Sequence, residues 1–195
     1  MDEVLVSANA FEKMFKKKYK IVIAYKKQLL SFEMDFRKED FAHLVGLQYL
    51  KDLDLGKNDT IIYEKIVNKE ITDDLLARSC FYLQVDNNYV KVKERIADFK
   101  HIEECIDSKS IVVKYIKGKN AYSMIDADFL ITVALHGDTY YIFIRKRRKE
   151  ETYMLCSFFK KVQECKGDKA YWLYKEKIDE DTATSIVLYD RLSKV

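Results

Sequence analysis

Proline is absent from all 195 residues. Turns must therefore form without its fixed φ, and glycine, asparagine and aspartate are the residues expected to make them. Glycine is itself scarce, with 5 in the chain. Neither GxGxxG nor GxxxxGK occurs, so there is no glycine loop to cradle nucleotide phosphates. GxSxG is missing as well, which leaves a hydrolase nucleophile elbow unsupported. The four cysteines (Cys80, Cys105, Cys156, Cys165) lie far apart with no CxxC pair. They read as reduced cytoplasmic thiols, with neither a disulfide framework nor a zinc site. His43, His101 and His136 are widely separated and no HExxH occurs, so metal-ligand spacing is lacking and no metal or other cofactor is expected. No apolar run is long enough to span a bilayer, and the acidic start Met1-Asp2-Glu3-Val4-Leu5 has no signal-peptide pattern. A cytoplasmic protein without a membrane partner is expected.

What is present suggests a globular protein with room for a sizeable core. Hydrophobic residues make up 48% and charged residues 34% of the chain, unlike a disordered segment. The length is that of one domain, taken as residues 1–195. Lys plus Arg number 35 against 32 Asp plus Glu, and a net charge of +3 does not by itself imply nucleic acid. Only local clusters can argue for that partner.

One stretch organises the rest: Phe41-Ala42-His43-Leu44-Val45-Gly46-Leu47-Gln48-Tyr49-Leu50. On a helix its apolar side chains go nearly all the way round, as in a helix buried on most sides. His43 would project between Leu47 and Leu50, with the small Gly46 leaving room for a close neighbour. Two readings stay open. His43 is a core histidine satisfied by backbone or water, or it is a catalytic imidazole on a rigid helix at a sheet edge.

Around this stretch, Ala8 to Lys18 reads as a first helix with Phe11, Met14 and Phe15 as its stripe. Ile21 to Tyr25 and the alternating Leu30, Phe32, Met34, Phe36 read as a hairpin joined at Lys26-Lys27-Gln28. Thr60 to Val67 reads as a helix, and Thr72 as the N-cap of a short turn through Ala77. Asp86-Asn87-Asn88 reads as a loop. Tyr89 to Ile106 carries the longest helical signal, with Lys91, Lys93 and Arg95 in its first two turns. From Ser110 the period changes to two. Strands are expected at Ile111 to Ile116, Tyr122 to Ala134, Thr139 to Arg145, Thr152 to Phe159 and Tyr171 to Ile178. Ser185 to Tyr189 fits either a last strand or a helical tail. Short turns between consecutive strands argue for an antiparallel meander. Helices precede the strands instead of alternating with them, so the class is α+β: an N-terminal hairpin and helices packed on a C-terminal antiparallel sheet.

Few groups carry a chemical signature. Asp126 and Asp128 share a strand face, and such a pair can hold Mg²⁺, but flanking apolar residues suit a core strand equally. The cationic clusters are Lys91, Lys93 and Arg95; Lys114, Lys117 and Lys119; and Arg145-Lys146-Arg147-Arg148-Lys149. The last reads as a solvated turn or as a phosphate contact. Among the tyrosines, Tyr115, Tyr122, Tyr141 and Tyr153 are candidates to stack on unpaired bases, although tyrosines commonly pack a sheet with the hydroxyl at its rim.

Phe41-Ala42-His43-Leu44-Val45-Gly46-Leu47 resembles the FxHLxGL signature of a bacterial family from phages and integrated mobile elements, the phage barnase–EndoU–colicin E5/D–RelE-like nuclease 4 domain. Lys93-Glu94-Arg95-Ile96, Ala127-Asp128-Phe129-Leu130 and Ser157-Phe158-Phe159 resemble its later elements, in order. The resemblance spans roughly residues 10 to 180. It implies a fold related to metal-independent RNA-cleaving toxins, with helices on an antiparallel sheet, and a reaction in which the RNA 2′-hydroxyl attacks the phosphodiester. Such a reaction needs a proton acceptor, cations for the crowded phosphorane and an acid for the departing 5′-oxygen.

His43 is the candidate base or acid, because imidazole ordinarily titrates near neutral pH. Arg95 is a candidate for phosphate charge, suited by its planar guanidinium, and Ser157 for a hydrogen bond to a phosphate oxygen. Lys114 is added from its charge and strand position alone. Arg95 as a helix-surface ion-pair partner and Ser157 as a plain strand residue are the simpler alternatives. His101 and His136 fall in no family element. The implied partners are RNA (tRNA or mRNA) and an antitoxin or immunity protein. Two other classes stay open: an RNA- or protein-binding module of the same fold that does not cleave, and a structural or immunity-type protein. An enzyme predicts a cleft where His43, Arg95 and Ser157 meet.

Overall fold

A computed structural model describes residues 1–85, 90–120 and 123–194. The first helix, α1 (Glu3–Glu12), starts and stops earlier than expected. Asp2 caps it by accepting from the Leu5 amide, and Val4, Ser7, Ala8 and Phe11 recur at helical spacing on its buried face. The Asp73 carboxylate accepts from the Glu3 and Val4 amides, at 2.5 and 3.1 Å, so two of the start's orphan donors are satisfied from another element. Lys17 and Lys18, expected in the helix, instead begin β1 (Lys17–Tyr25).

β1 turns directly into β2 (Gln28–Met34) through Lys26 and Lys27, both at positive φ (47° and 64°). Two successive left-handed residues match the twist of a tight hairpin. Lysines therefore occupy a place where glycine, asparagine or aspartate was expected. A short 3₁₀ turn at Lys38–Asp40 leads into α2 (Phe41–Leu44). Then follow α3 (Asp59–Val67), capped by Asn58, and α4 (Asp73–Leu76), capped by Thr72 as expected. The long helix expected from Tyr89 is two helices, α5 (Val92–Phe99) and α6 (Ile102–Asp107), broken at Lys100-His101. Tyr89, Tyr122 and the Asp86-Asn87-Asn88 loop lie outside the described residues.

The remaining strands are β3 (Ser110–Tyr115), β4 (Phe129–Leu135), β5 (Asp138–Lys146), β6 (Tyr153–Lys160), β7 (Gly167–Lys169), β8 (Tyr171–Asp179) and β9 (Thr184–Asp190). The open choice at the C-terminus is thus settled as a strand, which pairs with β8. β3 to β6 form the expected antiparallel meander. β4 starts at Phe129, well after Tyr122, and Phe129, Leu130 and Ile131 are all buried. Both faces of this strand are covered, so its sequence does not alternate.

Among the described residues the strands form one nine-stranded sheet in the order β7-β3-β4-β5-β6-β2-β1-β8-β9. The class is α+β, but the expected arrangement of the hairpin needs correction. β1 and β2 do not pack on the C-terminal sheet; they are members of it, between β6 and β8. The junction is parallel and short, with Met34 opposite Tyr153 and the Asp35 amide donating to the Tyr153 carbonyl at 3.1 Å. The sheet is therefore mixed. It also curls: Trp172 of β8 donates its indole N–H to the Ser110 carbonyl of β3 at 3.0 Å.

The helices cover one face through a cluster of rings. Phe41 lies 5.5 Å from both Tyr63 and Phe99, and Phe99 lies 5.7 Å from Phe158 of β6. Phe41 is fully buried, worth about 1.5–3 kcal/mol for a side chain of this kind. It anchors the motif segment to the sheet. The other face carries a second cluster with Tyr115, Leu130, Tyr141, Phe143 and Phe159. Tyr115 and Tyr141 are thus core residues, and Tyr153 lies 4.2 Å from Phe32; these rings pack the sheet.

Candidate functional site

The motif segment is not one continuous helix. α2 ends after Leu44, Gly46 adopts φ 83°, and a 3₁₀ turn follows at Leu47–Tyr49. The left-handed glycine re-aims the chain at little steric cost. Phe41, Ala42, Leu44, Val45, Leu47 and Leu50 are buried, as the apolar run implies. His43 is not a core histidine: its side chain keeps 55% of its exposure. Its Nε2 lies 3.8 Å from Asp59 Oδ2, within ion-pair range and beyond hydrogen-bond length. The imidazole lines a cavity of about 230 Å³ with Gln48, Lys51, Asp54, Asp59 and Ile62.

Gly46 faces Arg95. A Cβ added at Gly46 would meet Arg95 Cδ at 2.9 Å. The room at Gly46 is filled by the arginine and not by a neighbour of the imidazole. Arg95 is 1% exposed, which overturns its reading as a surface ion-pair partner. Its Nη1 donates to Ser157 Oγ at 3.1 Å and to the Phe158 carbonyl at 3.4 Å. The guanidinium carbon lies 4.5 Å from the Phe159 ring centroid and 5.6 Å from that of Tyr49. Aromatic faces favour such a cation where water is excluded. The reason for the burial lies in the sheet. β6 pairs with β2 at one residue only, and α2 and α5 fill the space beside the rest of the strand. Arg95 supplies a donor to a carbonyl there, as buried backbone requires.

Lys114 does not join this group. Its Nζ pairs with Asp128 Oδ1 at 3.0 Å and sits 4.6 Å from the Phe129 ring. Strand order separates them first, because β4 and β5 lie between β3 and β6, and register adds to it. Lys114 pairs with Phe129, Phe129 with Ile144, and Ile144 with Leu155, so these four share a sheet face. An irregularity between Phe143 and Ile144 leaves Cys156 over, and Ser157 pairs with Phe143 on the opposite face. One inserted residue moves Ser157 away from the lysine's side. Asp128 itself accepts from Lys114 and from the Lys146 amide, which gives it a structural role, while Asp126 is exposed.

The basic run also reads differently in three dimensions. Arg147 is buried and bonds Asp40 through Nη1 and Nη2 at 2.9 and 2.5 Å and Asp35 through Nε at 2.6 Å. Arg37 bonds Asp35 and Glu150. Burial pushes the Asp40 carboxyl above its ordinary value, against the pull of Arg147. Burial acts on Asp35 too, but hydrogen bonds from Arg147 and Arg37 hold its carboxyl below the ordinary value. The network ties the entry to α2 onto the β5–β6 turn. Arg147 is therefore an internal anchor and not a phosphate contact, while Arg148 and Lys149 are exposed.

Three segments far apart in sequence thus meet on one guanidinium: Gly46 and Tyr49, Arg95, and Ser157 to Phe159. The model of one protein family, described as phage-Barnase-EndoU-ColicinE5/D-RelE like nuclease4 (PBECR4), matches residues 3–192. The chain belongs to this family. The match is wider than the span of the short motifs and takes in α1 and β9. No curated protein and no solved structure matches the chain. Membership supports a nuclease-like function, and the large mixed sheet with a few helices is compatible with it.

Within the nuclease-4 chain, Tyr49, Phe159 and Asp59 escaped the sequence reading. Tyr49 sits three residues after Gly46 and Phe159 two after Ser157, so both lie in or beside the quoted motifs. Asp59 carries no such signal; it reaches His43 only because the chain folds back through Gly56.

Proposed function

We propose that this nuclease-family protein is a metal-independent endoribonuclease of toxin type, cleaving RNA by attack of the 2′-hydroxyl on the adjacent phosphodiester. The observation that carries this is the convergence of the Gly46, Arg95 and Ser157 segments in a chain whose family is a nuclease family. In this proposal His43 exchanges the proton. It is exposed, borders a cavity and has the Asp59 carboxylate 3.8 Å away, so the ring is open to a substrate. Arg95 is a positioning residue: it fixes Ser157 and seats the Gly46 turn that follows the helix carrying His43. Lys114 is given no part in the chemistry.

The substrate is RNA, the compartment is the cytoplasm, the origin is a phage or mobile element, and an antitoxin or immunity protein restrains the enzyme. Among the described residues no helix is long and apolar enough to cross a membrane.

A binding module of the same fold that does not cleave is favoured by one observation. Arg95 and Ser157 are buried, and His43 faces solvent, so the three do not line one open cleft. The discriminating experiment is cleavage of an RNA oligonucleotide and its 2′-deoxy counterpart in EDTA, with analysis of product ends. The proposal expects cutting of the RNA alone, leaving 2′,3′-cyclic phosphates. Salt-dependent binding without cutting favours the module instead.

A further inference from the structure

We infer that His101, Glu104 and His136 form a binding site for one divalent transition-metal ion of the zinc type. Spacing in the sequence hides it, since the two histidines belong to different elements. His101 stands at the start of α6 and Glu104 follows three residues later, which places both on one helix face. His136 is delivered by the β4–β5 turn, where His136 and Gly137 both take positive φ (51° and 85°). One ligand atom from each residue lies within 4.8 Å of the other two. His136 Nε2 and Glu104 Oε2 are already 3.1 Å apart.

That separation fits a metal. Zn²⁺ binds imidazole nitrogen and carboxylate oxygen at about 2.0–2.2 Å, so tetrahedral ligands stand roughly 3.3–3.5 Å from one another. The Glu104–His136 pair is already near this spacing, and the third ligand atom lies within 4.8 Å of both. Two imidazoles and one carboxylate are a borderline donor set suited to Zn²⁺, with Co²⁺ as a spectroscopic substitute. They leave a fourth position for water.

The supports are firm. α6 is held by buried Ile102, Cys105 and Ile106, and the His101 ring packs 5.4 Å from that of His136 and 6.4 Å from that of Tyr140. Glu104 and His136 are exposed, so an ion can enter without unfolding. The bound ion would staple the start of α6 to the β4–β5 turn, joining the helical layer to the meander. This site is separate from the Arg95–Ser157 group and does not rest on the RNA-cleaving proposal.

The test is Zn²⁺ binding to the full chain after chelator treatment, by equilibrium dialysis, with Co²⁺ absorption and thermal unfolding alongside. The wild type should take up one ion per chain, show the visible bands of low-symmetry Co²⁺, and unfold at higher temperature with the ion. His136→Asn preserves the left-handed turn, because asparagine tolerates that conformation. It should weaken binding at least tenfold and abolish the thermal shift. Glu104→Gln, at an exposed position, gives the same readout should the turn variant fold poorly. No uptake by the wild type overturns the inference. So does uptake unchanged in both variants, which would place the ion elsewhere, for example on the exposed Cys80.

Discussion

Gly46 and Arg95 fit against each other so closely that a single methyl group separates a permitted contact from a clash. The glycine has φ 83°, and a Cβ there would stand 2.9 Å from Arg95 Cδ. Arg95 cannot easily retreat, because its Nη1 is bonded to Ser157 and Phe158 and its guanidinium packs on the Phe159 and Tyr49 rings. Gly46→Ala should therefore destabilise the protein by more than the 1–2 kcal/mol or so that the left-handed backbone alone costs a residue with a Cβ. Urea unfolding measures it. A loss below about 1 kcal/mol would mean that Arg95 is free to move.

The ion pairs around Arg147 differ in burial, and their contributions should differ accordingly. Asp40 is 2% exposed and faces the buried guanidinium. Asp40→Asn leaves that charge half-compensated, and breaking a buried pair costs about 3–5 kcal/mol. Glu150→Gln removes the more exposed partner of Arg37 and should cost under about 1 kcal/mol. Comparable losses in the two variants would show that the network is not an internal anchor.

Lys175 offers a pH signature. Its Nζ donates to the Ile106 and Ser108 carbonyls at 2.6 and 2.9 Å, holding the C-terminal end of α6. Burial lowers its ammonium to about 8, against a smaller opposing pull from Asp107. Between that value and the ordinary 10.5, the unfolded chain keeps the proton and the folded chain does not. Stability contributed by Lys175 therefore rises with pH across this window, by about 3 kcal/mol at its end. Unfolding of the wild type and Lys175→Met at pH values either side of the window checks this. The gap between them should widen in favour of the wild type as pH rises, and a gap that narrows contradicts the assignment.

Much of this architecture was legible because local pattern and tertiary packing agree. Leu30, Phe32 and Met34 alternate in β2, Thr72 caps α4, and short turns mark the meander. Elsewhere tertiary context decided. Asp73 reaches from another helix to the start of α1, which no local window contains. Two lysines turn the first hairpin, because the strands on either side repay the strained backbone. At the site, the motifs located Gly46, Arg95 and Ser157, whose meeting point follows from the fold. Lys114, chosen from charge and strand position alone, stands apart because β4 and β5 lie between β3 and β6, and an irregularity at Cys156 also turns Ser157 to the other face. His43 looked internal because its neighbours are apolar, yet it occupies the one outward direction that a four-residue helix leaves open.

The central claim is that the exposed His43, which borders a cavity and faces Asp59, moves a proton during RNA cleavage. The most direct measurement is the rate of cleavage of total tRNA and a mixed RNA pool in EDTA by the wild type and His43→Ala. His43 is exposed, so the variant should fold normally. The account predicts cutting by the wild type and a loss of roughly 10²–10⁴-fold in the variant, the contribution of positioned proton transfer. Equal rates for the two proteins, or no cutting by well-folded wild type, would contradict it.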